Sequence, residues 1–193
     1  PGATTTGNFL VAVFAYGGPA TDPTLPAGWT LAIRKTEITE QVAIAYKENA
    51  ASESTTGNFT ATAGNGNLVV AEFSGVATST PLDVTASAGG NSSTAASGTT
   101  GTTAENDELL IAGYCAGGTT TYSSPTNSFS IVEQSNVAGE TACMSSRIVT
   151  ATGTFSSDIT LSGSTFWAGV IATFKAGASG AVPKTLLPLL GVG

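Results

Sequence analysis

Thirteen carboxylates, two thiols and no imidazole set the limits of what this chain could do chemically. Without histidine, Ser-His-Asp and Cys-His relays are impossible, and so is the commonest kind of zinc site. Paired carboxylates remain, and glycoside cleavage needs two of them roughly 5–9.5 Å apart. Glu72, in the run VVAEFSG at 69–75, is the most interesting single acid, and Glu48 and Glu53 on the neighbouring expected hairpin could approach it. The plainer reading is a strand-surface glutamate paired with Lys47 or another base, because ion-pair networks imitate sites. Calcium could draw oxygens from Glu105, Asp107 and Glu108, or from Asp83 with Asn91, yet EF-hand spacing is missing. The GNGN at 64–67 precedes a strand pattern and reads as a hairpin turn, not a phosphate loop. No catalytic set, metal set or cofactor is expected, and the chain reads as a non-enzyme.

Recognition is the other chemistry open to these residues. Tyr16 near GGPATDP and Tyr122 in TTTYSSPTNS are the loop-side aromatics that could stack on sugar rings. Trp29 and Trp167 read as core. Cys115 and Cys143 both fall in expected strands, where they form either a cross-strand disulfide in an oxidising compartment or two buried free thiols. A net charge of −7 with six basic residues removes the clustered positive surface that nucleic acid needs. No run reaches the ~20 apolar residues of a membrane-spanning helix. Sparse charge with abundant Thr, Ser and Gly suggests an extracellular or virion surface.

Stepping from residues to the elements that carry them, residues 7–18 read GNFLVAVFAYGG and 106–118 read NDELLIAGYCAGG. Laying 104–176 over 4–76 brings Leu10 onto Leu110, Gly18 onto Gly118, Trp29 onto Phe129 and Lys47 onto Arg147. After a slip of one residue, VVAEFSG at 69–75 meets VIATFKA at 170–176, so Glu72 faces the neutral Thr173. This is an internal repeat of about a hundred residues. Strands are expected near 8–16, 29–34, 41–47, 57–63 and 67–74 and in their second copies, with two more near 82–88 and 93–102. Five strands bury little alone. The expected fold is therefore all-β: one two-layer antiparallel sandwich over 1–176, jelly-roll-like, with pseudo-symmetric halves at about 4–76 and 104–176. Two tandem small sandwiches are the alternative. The strand near 93–100 has no counterpart ahead of Pro1, which leaves the first half with an open edge.

The order GNFLVAVFAY, PAGWTLA, AIAYKENAASESTT and NLVVAEFSGV resembles a group of repeat-bearing β-sandwich domains found in phage virion proteins and in bacterial surface or secreted proteins. The resemblance covers about residues 2–176. It implies decoration, fibre or adhesion modules and carries no catalytic set. This chain departs from the pattern in its shorter start and in Ser146, which stands where the first half has Tyr46.

Strands such as GNFLVAVFAY are apolar on both faces, so either the chain's own loops or other subunits must cover the outer ones. Residues 177–193 form a small-residue linker and an apolar tail, VPKTLLPLLGVG. Leu186, Leu187, Leu189, Leu190 and Val192 are expected to contact a neighbouring subunit, with the open edge as receptor for an added strand. The functional expectation is a structural protein that assembles with its own copies or with shell or filament proteins. A glycan-binding or adhesion module is the alternative.

Overall fold

A computed structural model describes residues 4–51, 53, 59–61, 66–136 and 139–177, together with the backbone of 184–190. It contains strands and turns, with no helix among the described residues. In chain order the strands are β1 (Phe9–Tyr16), β2 (Thr30–Glu37), β3 (Glu40–Lys47), β4 (Gly66–Ser74), β5 (Leu82–Ala96), β6 (Asp107–Gly117), β7 (Tyr122–Ser123), β8 (Ser130–Ser135), β9 (Glu140–Thr150), β10 (Asp158–Lys175) and β11 (Lys184–Leu190). They pair antiparallel in two sheets, ordered β11-β4-β1-β3-β2 and β5-β10-β6-β9-β8, with β7 beside β10. The all-β sandwich is thus observed. The expected strand at 57–63 lies mostly outside the described residues; within it, Thr60 bridges Thr24.

The repeat governs pairing register. Leu10 lies opposite Lys47, and Leu110 opposite Arg147; Thr30 lies opposite Tyr46, and Ser130 opposite Ser146. Even the irregularities recur, between Leu31 and Ile33 in β2 and between Ile131 and Glu133 in β8. The one-residue slip is also present, since Leu10 pairs with Glu72 but Leu110 with Thr173. Each copy builds one sheet, in the order fourth-first-third-second. A jelly roll is made of Greek keys ordered fourth-first-second-third, so the jelly-roll expectation gives way to one copy per sheet.

Side-chain alternation then assigns the faces. Phe9, Val11, Val13 and Ala15 of β1, Val42, Ile44 and Tyr46 of β3, and Val69, Ala71 and Phe73 of β4 point inward. They meet Leu109, Ile111, Met144, Val170 and Phe174 of the second sheet in one shared interior. Phe174 packs against both Phe9 and Tyr46, at ring separations of 4.7 and 5.4 Å. Gly113, the second-copy partner of Val13, leaves room for that valine: a β-carbon there would lie 3.0 Å from its methyls.

The outer faces are covered by the chain itself. Over the second sheet, Tyr122, Phe129, Ile159 and Phe155 close on Leu110, Ala112, Tyr114 and Ile171. Over the first, Leu31, Phe59 and Ala61 lie on Phe14, Tyr16 and Ala43. The low-complexity stretch is part of this cover. The backbone amides of Ser97, Thr100 and Thr103 donate to the carbonyls of Ser157, Phe155 and Gly153, and the same three side chains accept from those residues' amides. Ser97, Thr100 and Thr103 are the buried residues of 97–103, and the small residues between them stay exposed or half-buried.

Candidate functional site

Of the thirteen acids, only Glu40 and Glu140 occupy the same position in both copies. Each opens a strand, β3 in one sheet and β9 in the other. Each also reaches across to the opposite copy. A β-carbon at Gly117 would lie 3.2 Å from Glu40 Oε1, and one at Gly17 would lie 3.0 Å from Glu140 Oε1. Glycine at both places makes room for the reciprocal reach.

The two carboxyl groups are held differently. The Thr39 amide and hydroxyl both donate to Glu40 Oε2 at 3.3 Å. The Cys115 thiol, on the inner face of β6, donates to Glu140 Oε2 at 3.6 Å. Asn67 of β4 donates to the Glu140 carbonyl, and Ser135 donates to Asn67, which ties β8, β9 and the first sheet together. Burial and the charge of Glu40 both push the Glu140 carboxyl above its ordinary value. The Cys115 thiol is raised far above its own by burial and by Glu140, so it stays protonated and is no nucleophile. This cluster clasps the ends of the two sheets. No group of three or more His, Cys, Asp or Glu able to hold a metal ion occurs among the described residues. The signal for Glu40 and Glu140 was present in the repeat, in an acid retained where every other acid is lost, but single-copy reading does not isolate it.

The residues singled out from sequence fare unevenly. Tyr16 is 1% exposed, and its hydroxyl donates to the Thr21 carbonyl at 2.9 Å; burial pushes its titration up to about 12. Tyr122 is 4% exposed and bonds the Thr141 carbonyl. Neither offers a face to a sugar, and the glycan-stacking role is corrected for both. Tyr16 ends β1 and is itself covered on the outer face by Leu31, Phe59 and Ala61, whereas Tyr122, in the short strand β7 beside β10, packs into the outer cluster of the second sheet. Cys115 and Cys143 are free, and they point to opposite faces: Cys115 lies in the shared interior and Cys143 in the outer cluster. Cys115 pairs with Ala142 while Cys143 pairs with Tyr114, an offset of one residue that aims the sulfurs apart. The disulfide is thereby excluded.

Glu72 is half-buried and accepts from the Thr5 amide and the Asn8 side chain at 2.8 and 2.6 Å. Lys47 pairs with Glu53 at 2.9 Å instead. Glu72 thus anchors the approach to β1. Trp167 is buried as expected, whereas Trp29 is only half-buried, with its edge against Phe59.

The tail supplies the last piece. Backbone 184–190, which includes Leu186, Leu187, Leu189 and Leu190, pairs as β11 along the chain's own β4, from Lys184 opposite Ser74 to Leu190 opposite Val69. Val192 lies outside the described residues. An edge of the first half, β4, receives this strand, and the strand comes from the same chain rather than from a neighbour. β11 holds beside β4 the place that β5 holds beside β10, so the strand missing ahead of the first copy comes from the far side of the second. Pro188 fits there because an edge position spares its absent N–H.

No protein-family model, curated protein or solved structure matches this chain.

Proposed function

We propose that this protein is a non-enzymatic structural module, displayed outside a cell or on a virion, that assembles with copies of itself or with a shell through its terminal strand. The observation that carries the reading is the borrowed edge. β4 accepts an extended segment delivered on the small-residue stretch 177–183, and the pairing is backbone to backbone. A segment that pairs this way on its own β4 makes the same bonds on a neighbour's β4. Exchange of an identical element between copies is a low-cost route to assembly, and head-to-tail exchange propagates into filaments. Covered outer faces and a shared interior suit a part that must persist without partners on its flat surfaces.

The test is deletion of residues 182–193, read by light scattering, electron microscopy and thermal unfolding. The expected result is loss of the assembled species together with a lower Tm, since β4 is left with unpaired donors and acceptors. Unchanged particle size and stability would remove the reading.

A further inference from the structure

Glu108 is the charged residue this fold treats most harshly. It has no exposed surface, and neither carboxylate oxygen has a hydrogen-bond partner. Alternation along β6 turns it to the outer face with Leu110, Ala112 and Tyr114. There it lies opposite Lys175 of β10 and Val149 of β9. Buried Thr173 lies one step along β10 on the same face, its hydroxyl accepting from the Val84 amide at 3.3 Å. Asp83 of β5 accepts from the Ala104 amide at 2.7 Å, which draws the chain leading into β6 close to that strand.

The charged groups around Glu108 are therefore Asp83 from β5, Lys175 from β10, Glu105 from the segment before β6, and Arg147 from β9. Arg147 is engaged elsewhere, donating to the Asn127 carbonyl and lying over the Phe155 ring. Among the described residues, no ion pair joins Lys175 or Arg147 to Glu108. An unpaired carboxylate in such a place neutralises rather than stay charged. Burial, with a smaller push from Asp83, lifts its titration to about 7, against the pull of the nearby Thr173 hydroxyl and Glu105 amide, which fall short of hydrogen-bond geometry.

The first copy shows the satisfied form of the same geometry. The repeat partners of Glu108 and Thr173 are Asn8 and Glu72, so the carboxylate moves to the other strand and gains two donors.

We infer that Glu108 is a proton-binding switch beneath the segment 97–106 that crosses from β5 to β6, packed when protonated and loosening this crossing when ionised. The folded carboxyl holds its proton more tightly than the unfolded one, so deprotonation penalises the folded state alone. The contribution is complete below the unfolded value of 4.5, declines as pH rises through about 7, and is absent above. The same crossing anchors the root of the tail, where the Lys175 amide donates to the Pro81 carbonyl and the Ala176 amide to the Asp107 carbonyl.

Denaturant unfolding of the full chain from pH 4 to pH 9 tests this, comparing the wild type with Glu108→Gln. The wild-type midpoint should fall between about pH 5 and pH 8 more steeply than the variant's, which keeps only the shallower decline due to groups such as Glu140 and is the higher of the two at pH 8. Parallel profiles would overturn the inference, as would recovery of wild-type stability at pH 8 on adding millimolar calcium, which would make the carboxyls a cation site. If Glu108→Gln fails to fold, carboxyl NMR of the wild type decides instead. A glutamate titrating near 7 that shifts downward in Asp83→Asn supports the switch, and no glutamate titrating above about 5.5 ends it.

Discussion

Thiol chemistry at Cys115 and Cys143 is suppressed by where the strands aim them. Burial raises both thiols, Cys115 further through Glu140 and Cys143 through Glu133. A thiol-specific reagent at pH 8 should label neither cysteine in the native protein and both in denaturant, with no mass change on reduction. Rapid native labelling would contradict the packing described for both. At this scale the sequence was least informative. Tyr16 and Tyr122 sit beside turn-forming residues, which suggests exposure, and nothing local reveals that one ends a covered strand and the other begins a short strand packed on its sheet. Glu108 sits next to Asp107 and Glu105, which suggests a solvated acidic run. Register and covering chain, both set far away in the sequence, decide otherwise.

Among the elements, β1, β3 and β6 were legible because each is a largely apolar run bounded by glycine or a turn, and β9, with Ser145, Ser146 and Arg147 at its centre, through its alignment with β3. The pairing of copies was legible too, since GNFLVAVFAY and DELLIAGYCA align without a gap. β5 was misjudged as two strands because Gly89 and Gly90 look like a break. They are retained because neighbours fill the space: a β-carbon at Gly90 would lie 2.9 Å from the Trp167 ring, and one at Gly89 would strike Glu37 and Lys35 of β2. Gly169 in β10 is tighter still, as a β-carbon there would run into the backbone carbonyl of Ala96. Backbone cannot swing aside as a side chain can. Gly169→Ala should therefore destabilise by about 1–3 kcal/mol or more, measured as a fall in denaturant midpoint at constant slope. A neutral effect would mean that the chain after β5 does not cross where it is described.

For the whole molecule, the decisive feature is that neither copy owns its interior. Phe9 and Tyr46 from one copy and Phe174 from the other share a single aromatic cluster. A fragment comprising residues 104–177 alone should remain unfolded by circular dichroism and proton NMR, and should gain structure when mixed with residues 4–76 carrying a linked 184–190 segment. Independent folding of 104–177 would restore the tandem-sandwich arrangement.

A chain is made in one direction, and this one completes its first sheet last. β4 is finished at Ser74, but the strand that closes its edge begins at Lys184. At ribosomal rates of roughly 5–20 residues per second, that edge waits on the order of ten seconds for its partner. During that interval β1, β3 and β4 can pair with one another yet present an unclosed border to every other nascent copy nearby. Under the proposed strand exchange, whether copies emerge separate or linked is then a race, set by how crowded the birthplace is and how soon the chain's own final strand arrives.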